Sequence, residues 1–228
     1  MTDGASSSSG QLRIRIFIDF WNFQLALQGK NNNAPFFPDW AKVGPILASE
    51  ASRLLAAPAA EPARYDGMMV YLSYNPKSEK DRGLRNWAKN TLDLFPGVQV
   101  RMRERKPKAP PRCPACHAEI ATCPYCHAGM WGSQEKGVDT AIATDMVQLA
   151  WERAYDVGVL ASGDADFIPA VQFLTNKGVR IIQAGFPPRG IELARTCWAS
   201  FNVEPLMSSI ARLVANPQPP LGIAPSAK

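Results

Sequence analysis

The segment VLASGDADFIP, residues 159–169, changes abruptly from apolar to acidic sequence. Its apolar start is typical of a buried strand, and the Ser-Gly pair that follows ends the run. Asp164 and Asp166 come next with one residue between them, and Pro169 stands where a helix would begin. The segment predicts a strand–turn–helix unit. Two interpretations stay open: Asp166 caps the helix, or both aspartates hold a metal ion together with carboxylates from elsewhere in the chain.

Segments with strand-like and helix-like patterns alternate on both sides of this unit. Strands are predicted at 13–20, 68–74, 98–106, 156–162 and 179–185. Helices are predicted at 38–56, 78–95, 138–154, 166–178, 190–200 and 204–214. The alternation predicts an α/β fold, a three-layer domain with a central, mostly parallel sheet and helices on both faces. In such folds ligands bind outside the carboxyl ends of the strands, where the strand order reverses.

Length and composition are typical of a single domain. The chain has 228 residues, of which 46% are apolar, and its net charge of +5 favours an anionic partner such as nucleic acid. We expect a disordered leader at 1–11, one domain at 12–214 and a Pro-rich disordered tail at 215–228, with no internal repeat. The sequence has neither a signal-peptide pattern nor an apolar run of about 18 residues, so we expect a cytoplasmic protein outside the membrane. The oligomeric state stays open, and a homodimer is one option.

Five aspartates are candidates for a metal site at the predicted edge of the sheet. Asp19 ends the first strand, Asp164 and Asp166 follow the fourth, Asp139 opens a helix, and Asp145 lies on that helix. Crowded carboxylates repel one another unless a cation neutralises them, and their oxygens suit Mg²⁺ or Mn²⁺. Helix capping explains Asp139 or Asp166 singly, but it does not explain Asp19. The combination therefore indicates a site for Mg²⁺ or Mn²⁺.

Three blocks of sequence resemble a known family: IDFWNF (18–23), KGVDTAIATDM (136–146) and VLASGDADFIP (159–169). In this order they look like the NYN domain family, nucleases with the PIN-like fold, and within it the LabA-like branch, over roughly residues 12–207. The resemblance implies a metal-dependent ribonuclease that hydrolyses RNA phosphodiester bonds and leaves 5′-phosphate and 3′-hydroxyl ends. We expect single-stranded RNA as its substrate. The resemblance also implies that Mg²⁺ or Mn²⁺ activates the attacking water.

The resemblance further implies roles for individual residues. Catalytic metal ligands would be Asp19, Asp139, Asp164 and Asp166. Asn22 would be the polar partner in the first block, and Asp145 matches a further acidic position, so it is also a candidate ligand. Two alternatives stay open: an RNA- or protein-binding module with an inactive acidic site, and a metal-dependent phosphatase that acts on a small phosphoester.

Residues 107–131 form a Cys-rich block unlike its surroundings. Cys113, Cys116, Cys123 and Cys126 have the spacing C-x2-C-x6-C-x2-C. Two tight turns that direct four thiolates at one point predict a Cys₄ Zn²⁺ site, an inserted zinc knuckle. Disulfides, haem attachment through the two C-x-x-C-H patterns and iron in place of zinc are the alternatives. The knuckle would be either a staple for its own loop or a wall of the substrate groove.

Basic residues surround this block and are candidates for phosphate contact. Alternate residues of a strand share a face, so Arg101, Arg103 and Arg105 are predicted to form one basic row. Lys106 continues the row, and Lys136 precedes Asp139. Further candidates are Ser162, which either contacts substrate or only makes the turn, and Trp131, an exposed ring for stacking on unpaired bases.

Overall fold

The computed structural model describes residues 11–55 and 62–212. The strands are β1 (Arg13–Asp19), β2 (Arg64–Tyr74), β3 (Val98–Glu104), β4 (Lys106–Lys108), β5 (Gly132–Gln134), β6 (Val157–Ala161), β7 (Arg180–Gly185) and β8 (Ala199–Asn202). The α-helices are α1 (Phe20–Lys30), α2 (Trp40–Leu55), α3 (Glu79–Asn90), α4 (Val138–Trp151), α5 (Ile168–Asn176), α6 (Ile191–Thr196) and α7 (Met207–Ile210). Single 3₁₀ turns lie at Leu92–Leu94, Ala165–Phe167 and Glu204–Leu206. Across these ranges, no helix combines the length and apolar character that a membrane crossing requires.

Six of the strands form one parallel sheet in the order β3-β2-β1-β6-β7-β8. The order reverses between β1 and β6, because the chain moves outward in one direction from β1 to β3 and in the other from β6 to β8. The two strands at the reversal lie side by side, with Ile18 of β1 opposite Ala161 of β6. Their carboxyl ends therefore open into the crevice where ligands bind in this class of fold.

Helices cover both faces of the sheet and bury two apolar layers. On one face α1, α2 and α3 pack Phe23, Leu47 and Leu84 against the strands. On the other face α4 and α5 contribute Ile142 and Leu174. Burial of this continuous apolar surface is the main force that holds the three layers together. The predicted three-layer α/β fold is confirmed.

The C-terminal part of the sheet differs from the prediction. The predicted helix at 190–200 ends at Thr196, and the chain then enters β8. The amide of Trp198 donates to the carbonyl of Ile181, and β8 continues this pairing alongside β7. Tertiary pairing with an open sheet edge thus overrides the local helical pattern. Up to residue 212, where the description ends, the predicted last helix at 204–214 is reduced to a 3₁₀ turn and the single turn of α7.

The Cys-rich block leaves the main sheet on an antiparallel ribbon of its own. Lys106 of β4 lies opposite Gln134 of β5, and Lys108 lies opposite Gly132. This stem returns the chain directly to α4, so the block lies between β3 and α4. The domain boundaries stay predictions, since most of the leader and all of the tail lie outside the described residues.

Candidate active site

The first predicted ligand, Asp19, lies at the reversal point between β1 and β6. It is the last residue of β1 and, contrary to the expectation that capping does not explain it, the N-cap of α1, since its Oδ1 accepts a hydrogen bond from the amide of Asn22 at 3.2 Å. Its side chain is almost completely enclosed, with 5% of the residue exposed. A buried acidic cap has little structural advantage over a serine or asparagine at the same position. This position therefore points to a role in binding.

Asn22 and Ser162 join the first block to the loop after β6. The Oδ1 of Asn22 accepts from the amide of Gly163 at 3.0 Å. The hydroxyl of Ser162 donates to Oδ2 of Asp19 at 3.4 Å and accepts from the amide of Asp164 at 3.2 Å. Ser162 is buried, and these two hydrogen bonds of its hydroxyl hold the turn. The two motifs form a single unit.

Gln183 and Gly190, which the sequence did not point to, hold the loop after β6 in place. Gln183 on β7 is buried, and its Nε2 donates to the carbonyls of Ser162 at 3.0 Å and Gly190 at 3.1 Å. A Cβ added at Gly190 would lie 2.6 Å from the Cα of Gly163, and Gly190 has a φ of +75°. Both the close approach and the left-handed backbone require glycine there. A single buried glutamine in a strand gives no sequence signal for this role.

Asp139, Asp164 and Asp166 form the acidic group of the site. One carboxylate oxygen from each lies within 4.8 Å of the other two, and within 11–55 and 62–212 this is the one group of three or more metal-ligating side chains that meets this limit. Asp164 caps the following 3₁₀ turn, because its Oδ1 accepts from the amide of Asp166 at 3.0 Å. The cap is therefore Asp164 and not Asp166, whose carboxylate stays free for the group.

Burial and neighbouring negative charges raise the pKa of Asp19 and of Asp139. Burial is the main cause that raises the pKa of Asp19 to about 7, and the charges of Glu135 and Asp139 add to it. The pKa of Asp139 is also raised, first by burial and then by the charges of Asp164, Glu135 and Asp166. Such mutual repulsion is relieved when a cation enters. The electrostatics of the site therefore favour a bound cation.

Asp145 lies on the same helix as Asp139 but outside the acidic group. Its Oδ2 accepts from the Tyr71 hydroxyl at 2.8 Å and lies 3.7 Å from Nε of Arg101. Six residues of helix rotate its side chain about 120° away from Asp139. The structure does not bring this predicted ligand to the other three, and its carboxylate already has a charged and a neutral partner.

Glu135 is an acidic residue of the site that the sequence reasoning missed. It follows β5, and its Oε2 accepts a hydrogen bond from the hydroxyl of Ser73. Arg105 donates a hydrogen bond from Nε to the same hydroxyl at 2.9 Å, and its Nη2 lies 3.9 Å from Oε2 of Glu135. The guanidinium of Arg105 lies over the ring of Trp21, 5.1 Å from the ring centroid. Glu135 raises the pKa of both Asp19 and Asp139, so it faces the site.

An open groove of about 990 Å³ runs between β3 and the first turns of α4. Four of the predicted substrate-binding residues line it: Arg101, Arg103, Lys106 and Lys136. Arg105, predicted in the same row, does not line this groove, and its guanidinium lies beside Ser73, Glu135 and Trp21. Thr140 and Ala141 form the opposite wall, directly beside Asp139. A basic channel thus leads to the acidic group.

Comparison with known proteins identifies the family. The sequence model of the NYN domain matches residues 13–201, which is most of the chain. The chain belongs to the NYN domain family. Both the fold and the aspartate group agree with this membership, since NYN domains have the PIN-like nuclease fold that the sequence motifs predicted.

Two individual proteins resemble this NYN domain. The uncharacterized protein y4oD of Sinorhizobium fredii is 47% identical over 55 residues, which is 24% of this chain and 26% of that protein. The chain thus matches about a quarter of that relative's length. The crystal structure of a protein of unknown function from Vibrio parahaemolyticus has a TM-score of 0.51 and 16% sequence identity, with 86% of this chain and 95% of that chain covered. The structural likeness concerns the fold alone.

The Cys-rich insert of this NYN domain holds its thiols as two pairs. Cys113 accepts hydrogen bonds from the amides of Cys116 and Ala115, and Cys123 accepts from those of Cys126 and Tyr125. These amide donors lower the pKa of Cys113 and of Cys123, which favours the thiolate that a metal needs. The two pairs do not meet at one point: no three thiols of the described insert lie within 4.8 Å of one another.

Proposed function

We propose that this chain is a metal-dependent ribonuclease that hydrolyses phosphodiester bonds of single-stranded RNA. The observation that carries the proposal is the group of Asp139, Asp164 and Asp166 at the strand-order reversal of an NYN domain. The position agrees with the rule for ligand crevices in parallel sheets. The basic groove beside the group supports a polyanionic substrate.

The acidic group fits Mg²⁺ or Mn²⁺. Three carboxylates supply hard oxygen ligands and leave positions for water and a phosphate oxygen. In the described part of the chain, none of the three pairs with a lysine or arginine within 4.0 Å, so their charge has no protein counter-ion. A bound divalent cation would polarise the phosphate, activate water and stabilise the leaving oxygen.

The protein's own residues supply binding and orientation for this chemistry. Asp139, Asp164 and Asp166 would hold the cation, and Asp19 would join them once it is deprotonated. Asn22 keeps the Asp19 turn and the Gly163 loop in fixed register. The chain has two histidines, both in the Cys-rich insert, so no imidazole is at hand as a general base. This agrees with what membership of the NYN family implies, a water as the nucleophile and products that would carry 5′-phosphate and 3′-hydroxyl ends.

The RNA strand would follow the groove between β3 and α4. Arg103, Lys106 and Lys136 are exposed in it and would contact successive phosphates. Arg105 has a different task, because it lies beside Glu135 and is held by Ser73 and Trp21. A guanidinium fixed at this place would stabilise charge on the scissile phosphate.

We also propose that Cys113, Cys116, Cys123 and Cys126 bind one Zn²⁺. The amide-to-sulfur hydrogen bonds in both turns support the proposal, since they prepare a thiolate in each pair. The ion would draw the two pairs together. Its role would be structural, because the insert is too small to bury an apolar core of its own.

A nuclease assay with controlled metal content tests the proposal. Protein freed of Mg²⁺ and Mn²⁺ but loaded with zinc is incubated with an unstructured, end-labelled RNA. We expect no cleavage until Mn²⁺ or Mg²⁺ is added, and none in the Asp19→Asn and Asp164→Asn variants. Glu79→Gln is the matched control, since this carboxylate is exposed on α3, and it should cleave like the wild type.

Each other outcome identifies a different function. Cleavage that survives both aspartate substitutions would rule out the metal site. RNA binding that depends on salt, without cleavage, would favour a binding module. Turnover of a small phosphoester but not of RNA would favour a phosphatase.

A further inference from the structure

The Cys-rich insert is a tandem repeat of ten residues, contrary to the expectation that the chain lacks one. The first unit (112–121) reads RCPACHAEIA and the second unit (122–131) reads TCPYCHAGMW. Both turns have the same backbone hydrogen bonds: the amide of Cys113 donates to the carbonyl of Ala118 at 2.9 Å, and that of Cys123 to Ala128 at 2.9 Å. Each unit is closed by an equivalent antiparallel bridge, and the histidine after the second cysteine has a positive φ in both.

Because the scaffold is the same, the differences between the units indicate what each one does. Tyr125 of the second unit replaces Ala115 of the first, and it is 93% exposed. Trp131 replaces Ala121 and is 68% exposed, as its predicted stacking role required. Two alanines of one unit thus correspond to two exposed aromatic rings in the other. Neither ring is needed to form the turn, since the first unit folds in the same way without them.

A third difference makes room for one of these rings. The position of Glu119 in the first unit is Gly129 in the second, and a Cβ at Gly129 would lie 3.2 Å from Cδ1 of Trp131. A glutamate there would crowd the indole and add a negative charge beside it. The second unit is therefore specialised as a whole to present Trp131.

The surroundings of the rings are basic and continuous with the groove. Lys108 lies opposite Gly132, the residue after Trp131, and Lys106 lies two residues further down the same stem and lines the groove. Arg112 is exposed at the start of the first unit. Exposed aromatic rings next to cationic side chains match a single strand, whose bases stack while its phosphates are neutralised.

We propose that Tyr125 and Trp131 form a base-stacking site for unpaired nucleotides of the RNA strand whose backbone lies in the groove. The proposal rests on the proposed function in taking RNA as the occupant of the groove, and its control for an intact insert uses the proposed zinc site. The site is separate from the acidic group and contributes binding, not chemistry. It extends the contact of the strand beyond the phosphates and gives the insert a role besides its own stability.

Binding to two strands that differ only in their bases tests this site. The zinc-loaded Asp164→Asn variant is titrated with a fluorescein-labelled 12-nucleotide RNA and with an abasic strand of equal length, and anisotropy is recorded. We expect Tyr125→Ala and Trp131→Ala each to weaken binding of the base-bearing strand about tenfold. Binding of the abasic strand should not change. Trp151→Ala is the matched control, since this ring is 84% exposed on α4, and it should bind both strands normally.

Each outcome decides for or against the stacking site. Equal loss for both strands, unchanged binding of the base-bearing strand, or the same loss in Trp151→Ala would overturn it. Zinc content near one equivalent in the Tyr125→Ala and Trp131→Ala proteins shows that the insert is intact. If the wild type binds RNA in a base-dependent way but cleaves none, the nuclease function is refuted and the stacking site stands. If it cleaves RNA but its binding does not depend on the bases, the stacking site is refuted and the nuclease function stands.

Discussion

The acidic site and the Cys-rich insert both supply metal-ligating side chains, but they are supported in different ways. The acidic site rests on the sheet: Asp19 is 5% exposed, and every residue of β6, the strand that leads to Asp164, is buried. The insert has no such support, since Cys116, Cys126, Ile120 and Met130 are exposed and its shape depends on backbone hydrogen bonds.

This difference predicts which of the two sites would need a bound metal ion in order to form. The three carboxylates of the acidic group are gathered by strand ends and helix starts, which the apolar core fixes whether or not a cation is present. The four thiols stand in two separate pairs, and the proposed zinc ion would draw them together. The two regions should therefore respond independently to substitution and to metal removal.

The largest expected effect separates two aspartates of the same helix. Asp139→Asn should lower the rate of RNA cleavage about a thousandfold or more, because it removes a ligand from the group. Asp145→Asn should change the affinity for Mn²⁺ less than about twofold, since Asp145 contacts Tyr71 and Arg101 instead. Single-turnover cleavage measures the rate, and titration with Mn²⁺ measures the affinity. An equal loss of Mn²⁺ affinity in the two variants would show that Asp145 belongs to the site.

The next effect is a pH dependence of stability that arises from Asp19. Its pKa is about 7 in the folded protein against an ordinary value of 3.8, so the folded state holds an extra proton between these values. The free energy of unfolding of metal-free protein should therefore fall as the pH rises from about 4 to 7, by at most about 4 kcal/mol. Asp19→Asn should lack this decrease and be the more stable protein at pH 8. Urea unfolding at several pH values measures it, and parallel curves for the two proteins would contradict the raised pKa.

A smaller effect is expected at the residue that links the two regions. Glu135→Gln should lower the rate about tenfold, because Glu135 and Ser73 hold Arg105, the residue that we propose stabilises charge on the scissile phosphate. It should also shift the onset of Mn²⁺ binding to lower pH, since Glu135 raises the pKa of Asp19. Glu119→Gln, an exposed carboxylate of the insert, is the control. If the variant is slower but Mn²⁺ binding begins at the same pH as in the wild type, Glu135 has only a structural role.

The smallest effect on the domain is expected from loss of the thiols. The double variant Cys113→Ser/Cys116→Ser should lose about one equivalent of zinc, yet its free energy of unfolding should fall by less than about 1 kcal/mol. The reason is that the insert buries little apolar surface against the sheet. Elemental analysis and urea unfolding measure both quantities, and Cys197→Ser should keep its zinc because that thiol is buried in the core. Loss of Mn²⁺ binding in the double variant would show that the regions are not independent.

The sequence predicted the part of the site that topology determines. Asp19, Asp139 and Asp164 lie at strand ends and a helix start, and such positions can be recognised from alternating patterns. Glu135 could not be found in this way, since in QEKG it resembles any solvated charge, and only the stem of the insert brings it to Ser73. The contacts of Arg105 with Ser73, Glu135 and Trp21 could not be predicted either, because they join residues distant in sequence.

Strand β8 and the orientation of Asp145 could not be predicted, because both depend on contacts between residues distant in sequence. Residues 199–202 have no strong strand pattern, and they become β8 only because β7 offers an unpaired edge. Asp145 shows the converse, since a carboxylate at a matching position of a motif is directed away by the helical twist and taken up by Tyr71. Contacts distant in sequence decided each of these cases.

Anomalous diffraction at the manganese edge tests the central claim most directly. Crystals of the zinc-loaded protein soaked in Mn²⁺ should show a manganese peak about 2 Å from carboxylate oxygens of Asp139, Asp164 and Asp166. The peak should be absent from Asp164→Asn crystals, while the zinc signal of the insert remains. A manganese peak at Asp145 or only among the cysteines, with none at the three aspartates, would contradict the account.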